Sequence, residues 1–341
     1  MSELRQDLIT GKWVVIAKKR KKRPHNFCIQ NTSKTCKCPF CNPKKSGQNP
    51  DTYIIKDKKG EWIARSFQNL FPAFEQQGNL DPKMDGPYKF ENAIGFHEVI
   101  VTRDHKKSLG LMEVKKVAKV INLYQKRYLD LMNKRFVRYI SIFHNHGQSA
   151  GASIEHPHSQ LIAVPEVPSD IYDELKGSQD YFQSNQRCAY CTMIAFEKED
   201  EERIVFENES IIAFCPFASR AGYEIWIIPK KHEPYFERAK KTSKIKIASA
   251  LKICLQKIHK LLNNIDYNFY LHTAPCDGRL YDHYHWHIEI LPKSSIWAGF
   301  ELGTGVEINP FAPEETAKEI RETKIEKANN LFNQFKKILG K

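Results

Sequence analysis

Two cysteine pairs in this chain have the spacing of metal ligands: Cys38-Pro-Phe-Cys41 and Cys188-Ala-Tyr-Cys191. Thiolates held two residues apart can grip one borderline cation, and imidazoles complete such sets. A histidine pair lies C-terminal to each: His156-Pro-His158 and His285-Trp-His287. A lone histidine intervenes each time, His105 after the apolar run EVIV and His232 after EIWII. On a strand, residues i, i+2 and i+4 share a face, so His156, His158 and Gln160 of HPHSQ line one surface. Neutral imidazole is a good nucleophile near pH 7. Two histidines and a glutamine on one face, beside a cysteine pair, point to chemistry rather than packing.

The elements that must position these residues recur in the same order. From His105 to His156 is 51 residues, and from His232 to His285 is 53. Each interval holds a segment with apolar residues at helical spacing, EVKKVAKVINLYQKRYLDLM and then KIKIASALKICLQKIHKLL. A β-rich run follows each, RYISIFHNH and YNFYLHTA, and the endings match as HPHSQLIAVP and HWHIEILP. The period is far above that of solenoid repeats. It predicts duplication of an α+β unit of strand, helix, strand, strand, with antiparallel sheets. The boundary is expected within 165–185, where VPSDIYDELKGSQDYF starts with prolines and turns polar and acidic, giving halves 1–177 and 178–341. The segment 42–60 reads as a surface loop, and 313–339 as a charged terminal helix.

Of the 341 residues 41% are hydrophobic and 11% aromatic, enough for a core and inconsistent with wholesale disorder. The formal charge of +13 suggests an anionic ligand: nucleotide, sugar phosphate or nucleic acid. Nine cysteines, an odd number without an export signal, favour reduced thiols and metal ligation over a disulfide framework. No apolar stretch approaches the roughly 18 residues that span a bilayer, so a cytoplasmic protein without membrane partners is expected.

HPHSQ preceded by NHGQSAGASIE resembles the active-site stretch of the galactose-1-phosphate uridylyltransferase family, in the histidine triad superfamily. The resemblance covers nearly the whole chain. LRQDLITGKWVVIAKKRKKRP is similar to the family's N-terminal strand and Arg-x-x-Arg-Pro element, and Cys38 to Cys41, QNLFPAF and FELGTG also have counterparts there. The resemblance implies tandem histidine-triad-like domains, a homodimer and ping-pong nucleotidyl transfer. His158 would attack the α-phosphorus of UDP-glucose, releasing glucose 1-phosphate, and galactose 1-phosphate would take UMP from the uridylyl-histidine. Gln160 fills the triad position where hydrolases of the superfamily carry a third histidine. An amide cannot protonate a leaving group, but it can hold a phosphoryl oxygen. Carried over for nucleotide binding are Arg20, Arg23, Asn69, Phe71, Asn145 and Ser153.

The same resemblance makes Cys38, Cys41, His105 and His156 a closed structural zinc site, leaving His158 unligated. The repeat then predicts a second zinc at Cys188, Cys191, His232 and His285. His287 falls at the nucleophile's position and Glu289 at that of Gln160, but CDGRLYD replaces the AGAS approach, so no second active centre is expected. Some bacterial members instead place a glutamate and histidines around a second metal, where Glu174, His272 and His287 match. The second cysteine pair resembles the two-zinc branch that includes plant ADP-glucose phosphorylase, and Glu174 is then expected to be a salt-bridging surface acid. Phe300 and Glu301 of IWAGFELGTG resemble the segment that reaches the sugar phosphate across a dimer interface. Many galactose enzymes have Tyr-Glu there, whereas Phe-Glu before GTG also occurs in the phosphorylase branch. The acceptor is thus galactose 1-phosphate, or inorganic phosphate with ADP-glucose as donor.

Two other classes fit parts of the sequence. A zinc-dependent nucleic-acid-binding protein would use the charge and KKRKKR, but the histidines lie more than 40 residues from their cysteines, unlike zinc fingers. A hydrolase of the same superfamily would release nucleotide without an acceptor.

Overall fold

The computed structural model describes residues 2–18 and 38–325. Its strands are β1 Glu3–Gln6, β2 Trp13–Ile16, β3 Asp51–Lys56, β4 Trp62–Gln68, β5 Lys83–Asp85, β6 Tyr88–Phe90, β7 Phe96–Thr102, β8 Tyr139–His146, β9 His158–Val164, β10 Ile204–Glu207, β11 Ile211–Phe214, β12 Ile225–Pro229, β13 Tyr267–His272, β14 His287–Pro292 and β15 Ile308–Asn309. The helices are α1 Val114–Leu131, α2 Ser169–Asn185, α3 Ala189–Asp200, α4 Lys241–Leu261, α5 Gly299–Thr304 and α6 Pro313–Glu322. The apolar runs, periodic segments and β-rich endings of the sequence become β7, α1, β8 and β9 in the first half. They become β12, α4, β13 and β14 in the second.

Ten strands form one antiparallel sheet in the order β10-β11-β12-β14-β13-β8-β9-β7-β4-β3. Read inward from either edge, the order is the same: two strands, the strand before the long helix, the last strand of the half, and the strand after the helix. β8 and β13 pair at the centre, with Asn145 opposite Asn268, so the two halves share one sheet.

The period-2 geometry of strands decides which residues meet water and which the core. Ile140, Ile142, Leu161, Ala163, Ile288 and Ile290 face α1 and α4 and are essentially inaccessible. α1 presents Val117, Val120, Ile121, Tyr124 and Tyr128 to this layer, and α4 presents Ile247, Leu251, Cys254, Leu255 and Ile258. Both sets follow the i, i+3, i+4 spacing of a buried helix face. The alternate strand positions, including Phe143, Asn145, Tyr270 and Glu289, point to the face without these helices.

That face is partly covered by the three-stranded sheet β1-β2-β15. Val14 and Ile16 of β2 pack with Ala218 and Ala312, and charge adds to this hold. Glu314, in the first turn of α6, accepts from Arg5 on β1 at 2.7 Å and from Arg203 at 3.1 Å.

Three expectations change. The segment 42–60 is not all loop: Asp51–Lys56 within it is strand β3, which pairs with β4 as the sheet edge. The acidic boundary segment is helix α2, which buries Ile171, Glu174, Leu175 and Ser178. The terminal helix is described only over Pro313–Glu322, the remainder of 313–339 lying largely outside the described residues. Among the described residues no helix is long and apolar enough to cross a membrane.

Candidate active site and metal centres

His158 opens β9 on the face away from α1, with 7% of its surface exposed. Its Nδ1 donates to the carbonyl of His156 at 2.9 Å, which leaves the lone pair on Nε2. Burial pulls the imidazole pKa below its ordinary value, against the carbonyl contact that raises it, so the ring is neutral at neutral pH. A free Nε2 lone pair on a neutral, oriented ring is what attack on phosphorus requires. Phe40, inside the first cysteine pair, packs edge-on against this ring at 5.1 Å.

Gln160 follows two residues on, facing the same way. Its Oε1 lies 2.8 Å from Nε2 of His97 on β7. Between them Ser159 points into the core, where its Oγ meets Tyr124 Oη at 2.5 Å and His144 Nδ1 at 3.0 Å. Burial holds His144 well below the usual imidazole range, ahead of the smaller effects of His158 and His146.

The other sequence-derived positions are brought together unevenly. Asn69 follows β4, where its N–H bonds the carbonyl of His97 at 2.8 Å and its Oδ1 accepts from Phe71 N at 2.9 Å. Phe71 is 88% exposed. Asn145 lies on the same face of β8 and accepts from Asn268 Nδ2 at 2.8 Å. Ser153 is exposed in the loop leading to β9. Arg20 and Arg23 lie outside the described residues. Phe300 and Glu301 sit on α5, where the Glu301 carboxylate accepts from Ala298 N at 3.0 Å and so caps its own helix. His97, Asn268 and Arg220 were not anticipated. His97 shares a strand face with Val99 and Val101, and only the pairing of Val99 with Gln160 reveals its neighbour.

Cys38, Cys41, His105 and His156 converge at the loop end of β9. Cys41 Sγ lies 3.1 Å from His105 Nδ1, Cys38 Sγ 3.5 Å from His156 Nδ1, and the two Nδ1 atoms are 3.2 Å apart. A tetrahedral zinc with Zn–S of about 2.3 Å and Zn–N of about 2.05 Å has S···N edges of about 3.5 Å and N···N edges of about 3.3 Å. The donor set and spacing fit that ion. The far nitrogen of His156 donates to the carbonyl of Thr102 at 2.7 Å, which fixes Nδ1 as the ligand atom. Cys188, Cys191, His232 and His285 form the second set, with Cys191 Sγ 3.5 Å from His232 Nδ1 and 3.8 Å from His285 Nδ1. His232 Nε2 donates to the carbonyl of Asp282 at 2.8 Å.

The second half repeats the frame around His287 and changes its chemistry. Nδ1 of His287 again donates to the carbonyl two residues earlier, at 3.1 Å. Its Nε2, however, lies 3.1 Å from a Glu289 carboxylate oxygen, where Nε2 of His158 has no such neighbour. Tyr190, at the position of Phe40, packs 5.1 Å from the ring, and Trp226 stacks on it at 5.1 Å. His287 is fully buried. Burial raises the Glu289 carboxyl, but Arg220 and the neighbouring imidazoles hold it well below the carboxylate range. Glu174 is not a surface acid: it is 8% exposed, pairs with His272 Nδ1 at 2.9 Å and accepts from Tyr284 Oη at 2.6 Å. Helix α2 carries it inward, which the polar composition of that segment concealed. Glu174, His272, His287 and Glu289 form a third group of closely spaced ligand atoms, with Arg220 supplying positive charge on Glu289. A cavity of about 430 Å³ adjoins them, floored by Asn145, Asn268 and Tyr270.

The family model for the N-terminal domain of galactose-1-phosphate uridyl transferase matches residues 1–168, and a model described as a domain of unknown function, DUF4921, matches 91–334. An ADP-glucose phosphorylase of Arabidopsis thaliana is 34% identical over 95% of this chain and 93% of its own length. A galactose-1-phosphate uridylyltransferase of Thermotoga maritima is 33% identical over 96% of this chain and all of its own. The crystal structure of an ADP-glucose phosphorylase from Arabidopsis thaliana with bound ADP-glucose superposes with a TM-score of 0.83, at 32% identity over 95% of this chain and 100% of that one. With the HPHSQ strand, its free imidazole nitrogen and the full-length likeness in hand, this chain belongs to the galactose-1-phosphate uridylyltransferase family, whose members are nucleotidyltransferases.

Proposed function

We propose that this chain moves a nucleoside monophosphate from a nucleoside diphosphate glucose to a phosphate-bearing acceptor through a covalent intermediate on His158. The observation that carries the reading is the Nε2 lone pair of His158, freed by the Nδ1 contact to His156 and set beside the Gln160 amide. In the first step Nε2 bonds the α-phosphorus, and the bond from phosphorus to the bridging oxygen breaks. The electron pair leaves on hexose 1-phosphate, a stable anion that needs no proton. In the second, an acceptor phosphate oxygen attacks the same phosphorus and the pair of the N–P bond returns to Nε2. The Nδ1 proton stays with the His156 carbonyl throughout, and positive charge on the ring is offset there. Gln160 donates to a phosphoryl oxygen as charge redistributes. Arg20, Arg23, Asn69, Phe71, Asn145 and Ser153 are assigned to the nucleotide, and Phe300 and Glu301 to the acceptor side, reached in a homodimer.

The substrates of this reading are UDP-glucose and galactose 1-phosphate. A second reading, adenylyl transfer from ADP-glucose to inorganic phosphate, is favoured by Phe300-Glu301 before GTG and by the second Cys2His2 set. The relative with bound ADP-glucose also supports it. Zinc at the two Cys2His2 sets would be structural, clamping the loop before β9 and its counterpart before β14. The matching strand order of the halves supports an origin by duplication, with units at 1–177 and 178–341. The test is to incubate zinc-replete protein with radiolabelled UDP-glucose or ADP-glucose and isolate acid-labile labelled protein. Absence of label with both donors defeats the reading. Turnover with each donor against galactose 1-phosphate and phosphate then assigns the reaction.

A further inference from the structure

We infer that His97 is a positioning residue that fixes which end of the Gln160 amide faces the transferring phosphoryl group. This rests on the proposed transfer through His158. The backbone N–H of Ala73 donates to His97 Nδ1 at 3.1 Å. A nitrogen that accepts carries no proton, so the ring proton is on Nε2. That N–H meets Gln160 Oε1 at 2.8 Å. Asn69 Nδ2 lies 3.1 Å from the same nitrogen but is itself a donor, because Asn69 Oδ1 is taken by Phe71 N. The proton therefore goes to Gln160.

The consequence is directional. With Oε1 engaged by His97, the Gln160 NH2 group is presented to the open face beside His158. Rotated by half a turn, the amide would set two donors against each other at His97 and aim a carbonyl oxygen at an anionic phosphate. A phosphoryl oxygen gains charge during transfer and needs a donor. His97 is 7% exposed, and its carbonyl also accepts from Asn69 N at 2.8 Å. One residue thus ties the Asn69–Ala73 turn, with its nucleotide-binding candidates, to the strand that carries nucleophile and amide. The second half lacks the arrangement. Val99 pairs with Gln160 as Trp226 pairs with Glu289, so Glu224 stands in the place of His97 and Glu289 in that of Gln160. Arg220 bridges those two carboxylates.

The experiment uses zinc-loaded full-length His97→Leu, His97→Gln, Gln160→Leu and the His97→Leu/Gln160→Leu double variant. Single-turnover labelling with whichever radiolabelled nucleotide sugar labels the wild type gives the first-step rate. Titration of the same nucleotide sugar gives affinity. His97→Leu is expected to slow labelling about 100-fold, comparable to loss of one oriented donor, while affinity changes less than about 3-fold. His97→Gln, which keeps a side-chain N–H, is expected to recover most of the rate. The double variant is expected to be no slower than Gln160→Leu, because both changes remove one function. Wild-type labelling rates in His97→Leu overturn the inference and leave the proposed function intact. So do multiplicative losses in the double variant, or parallel losses of rate and affinity. Wild type that labels with neither sugar defeats the proposed function and this inference with it.

Discussion

Gly147 opens the loop that leads to the AGAS approach, and its replacement by alanine tests how that loop is held. Its backbone has φ 82° and ψ 162°, a region that residues with a Cβ essentially do not occupy. A methyl group there would also overlap the carboxylate of Asp266, a residue of the other half. That carboxylate accepts from Ser149 N at 2.7 Å and from Ser149 Oγ at 2.6 Å, so it cannot move without releasing the short helical turn Gln148–Ala150. The backbone strain is about 2 kcal/mol, and loss of the charged hydrogen bonding is about another 2 kcal/mol. Gly147→Ala is therefore expected to destabilise by about 4 kcal/mol. An unfolding entropy of about 2.1 cal/mol/K per residue over 341 residues converts this to a fall of about 6 °C in Tm. Asp266→Ala is expected to cost about 2 kcal/mol, and adding it to Gly147→Ala to cost less than the sum, since the overlap is gone. Calorimetry of zinc-loaded protein reads all three. A Gly147→Ala Tm within about 1 °C of wild type, or strictly additive losses, would refute the reasoning.

Glu314→Gln is expected to lower stability by about 2 kcal/mol near neutral pH, because Arg5 and Arg203 lose a shared partner. Burial raises the Glu314 carboxyl, but Arg5 and Arg203 bring it below its ordinary value. Its contribution is thus present above about pH 4.5 and fades as pH falls through the depressed folded value. Tm measured from pH 7 to 3 should show the variant and wild type converging in acid, and a gap that widens there would count against the pairing. Metal analysis is expected to give two zinc ions per chain and one in Cys191→Ser. About one zinc in the wild type would eliminate one Cys2His2 centre. His158→Gly should accept no label from either nucleotide sugar while retaining its zinc, and a labelled variant would remove the covalent reading.

The cysteine and histidine pairs were legible because each signal is local. Two-residue spacings, a strand alternation and a helical period need no knowledge of what packs against what. The matching order of the two halves followed for the same reason. What stayed hidden depends on non-local pairing. Glu174 lies in a stretch whose composition reads as a solvated face, yet α2 turns it onto His272, about a hundred residues away. His97 precedes an apolar run like many surface histidines, and only the β7–β9 register sets it against Gln160. Asp51 to Lys56 is short and charged at its ends, so the turn-forming residues around it masked an edge strand. Glu301 belongs to a segment rich in glycine, and a six-residue helix capped by its own carboxylate is too short for periodicity to reveal.

Two halves of matching strand order, with the proposed nucleophile in only one, raise the question of what separates them. The scaffolding does not: both histidines donate Nδ1 to the carbonyl two residues back, and both lie under the aromatic residue of a cysteine pair. The first difference is the side chain two positions on. In the first half Gln160 turns its oxygen to His97 and makes no claim on His158 Nε2. In the second, a carboxylate at the same position lies 3.1 Å from Nε2 of His287, and Arg220 holds that carboxylate ionised. The carboxylate thus occupies the ring nitrogen that His158 leaves without a partner. Trp226 also stacks on the His287 ring at 5.1 Å. Reopening the second centre would need more than restoring the amide, because the residue in the place of His97 is an acid and the ring is covered. The asymmetry between the halves thus lies in the residues flanking a shared geometry, while β13 of the second half pairs with β8 beside the strand that carries His158.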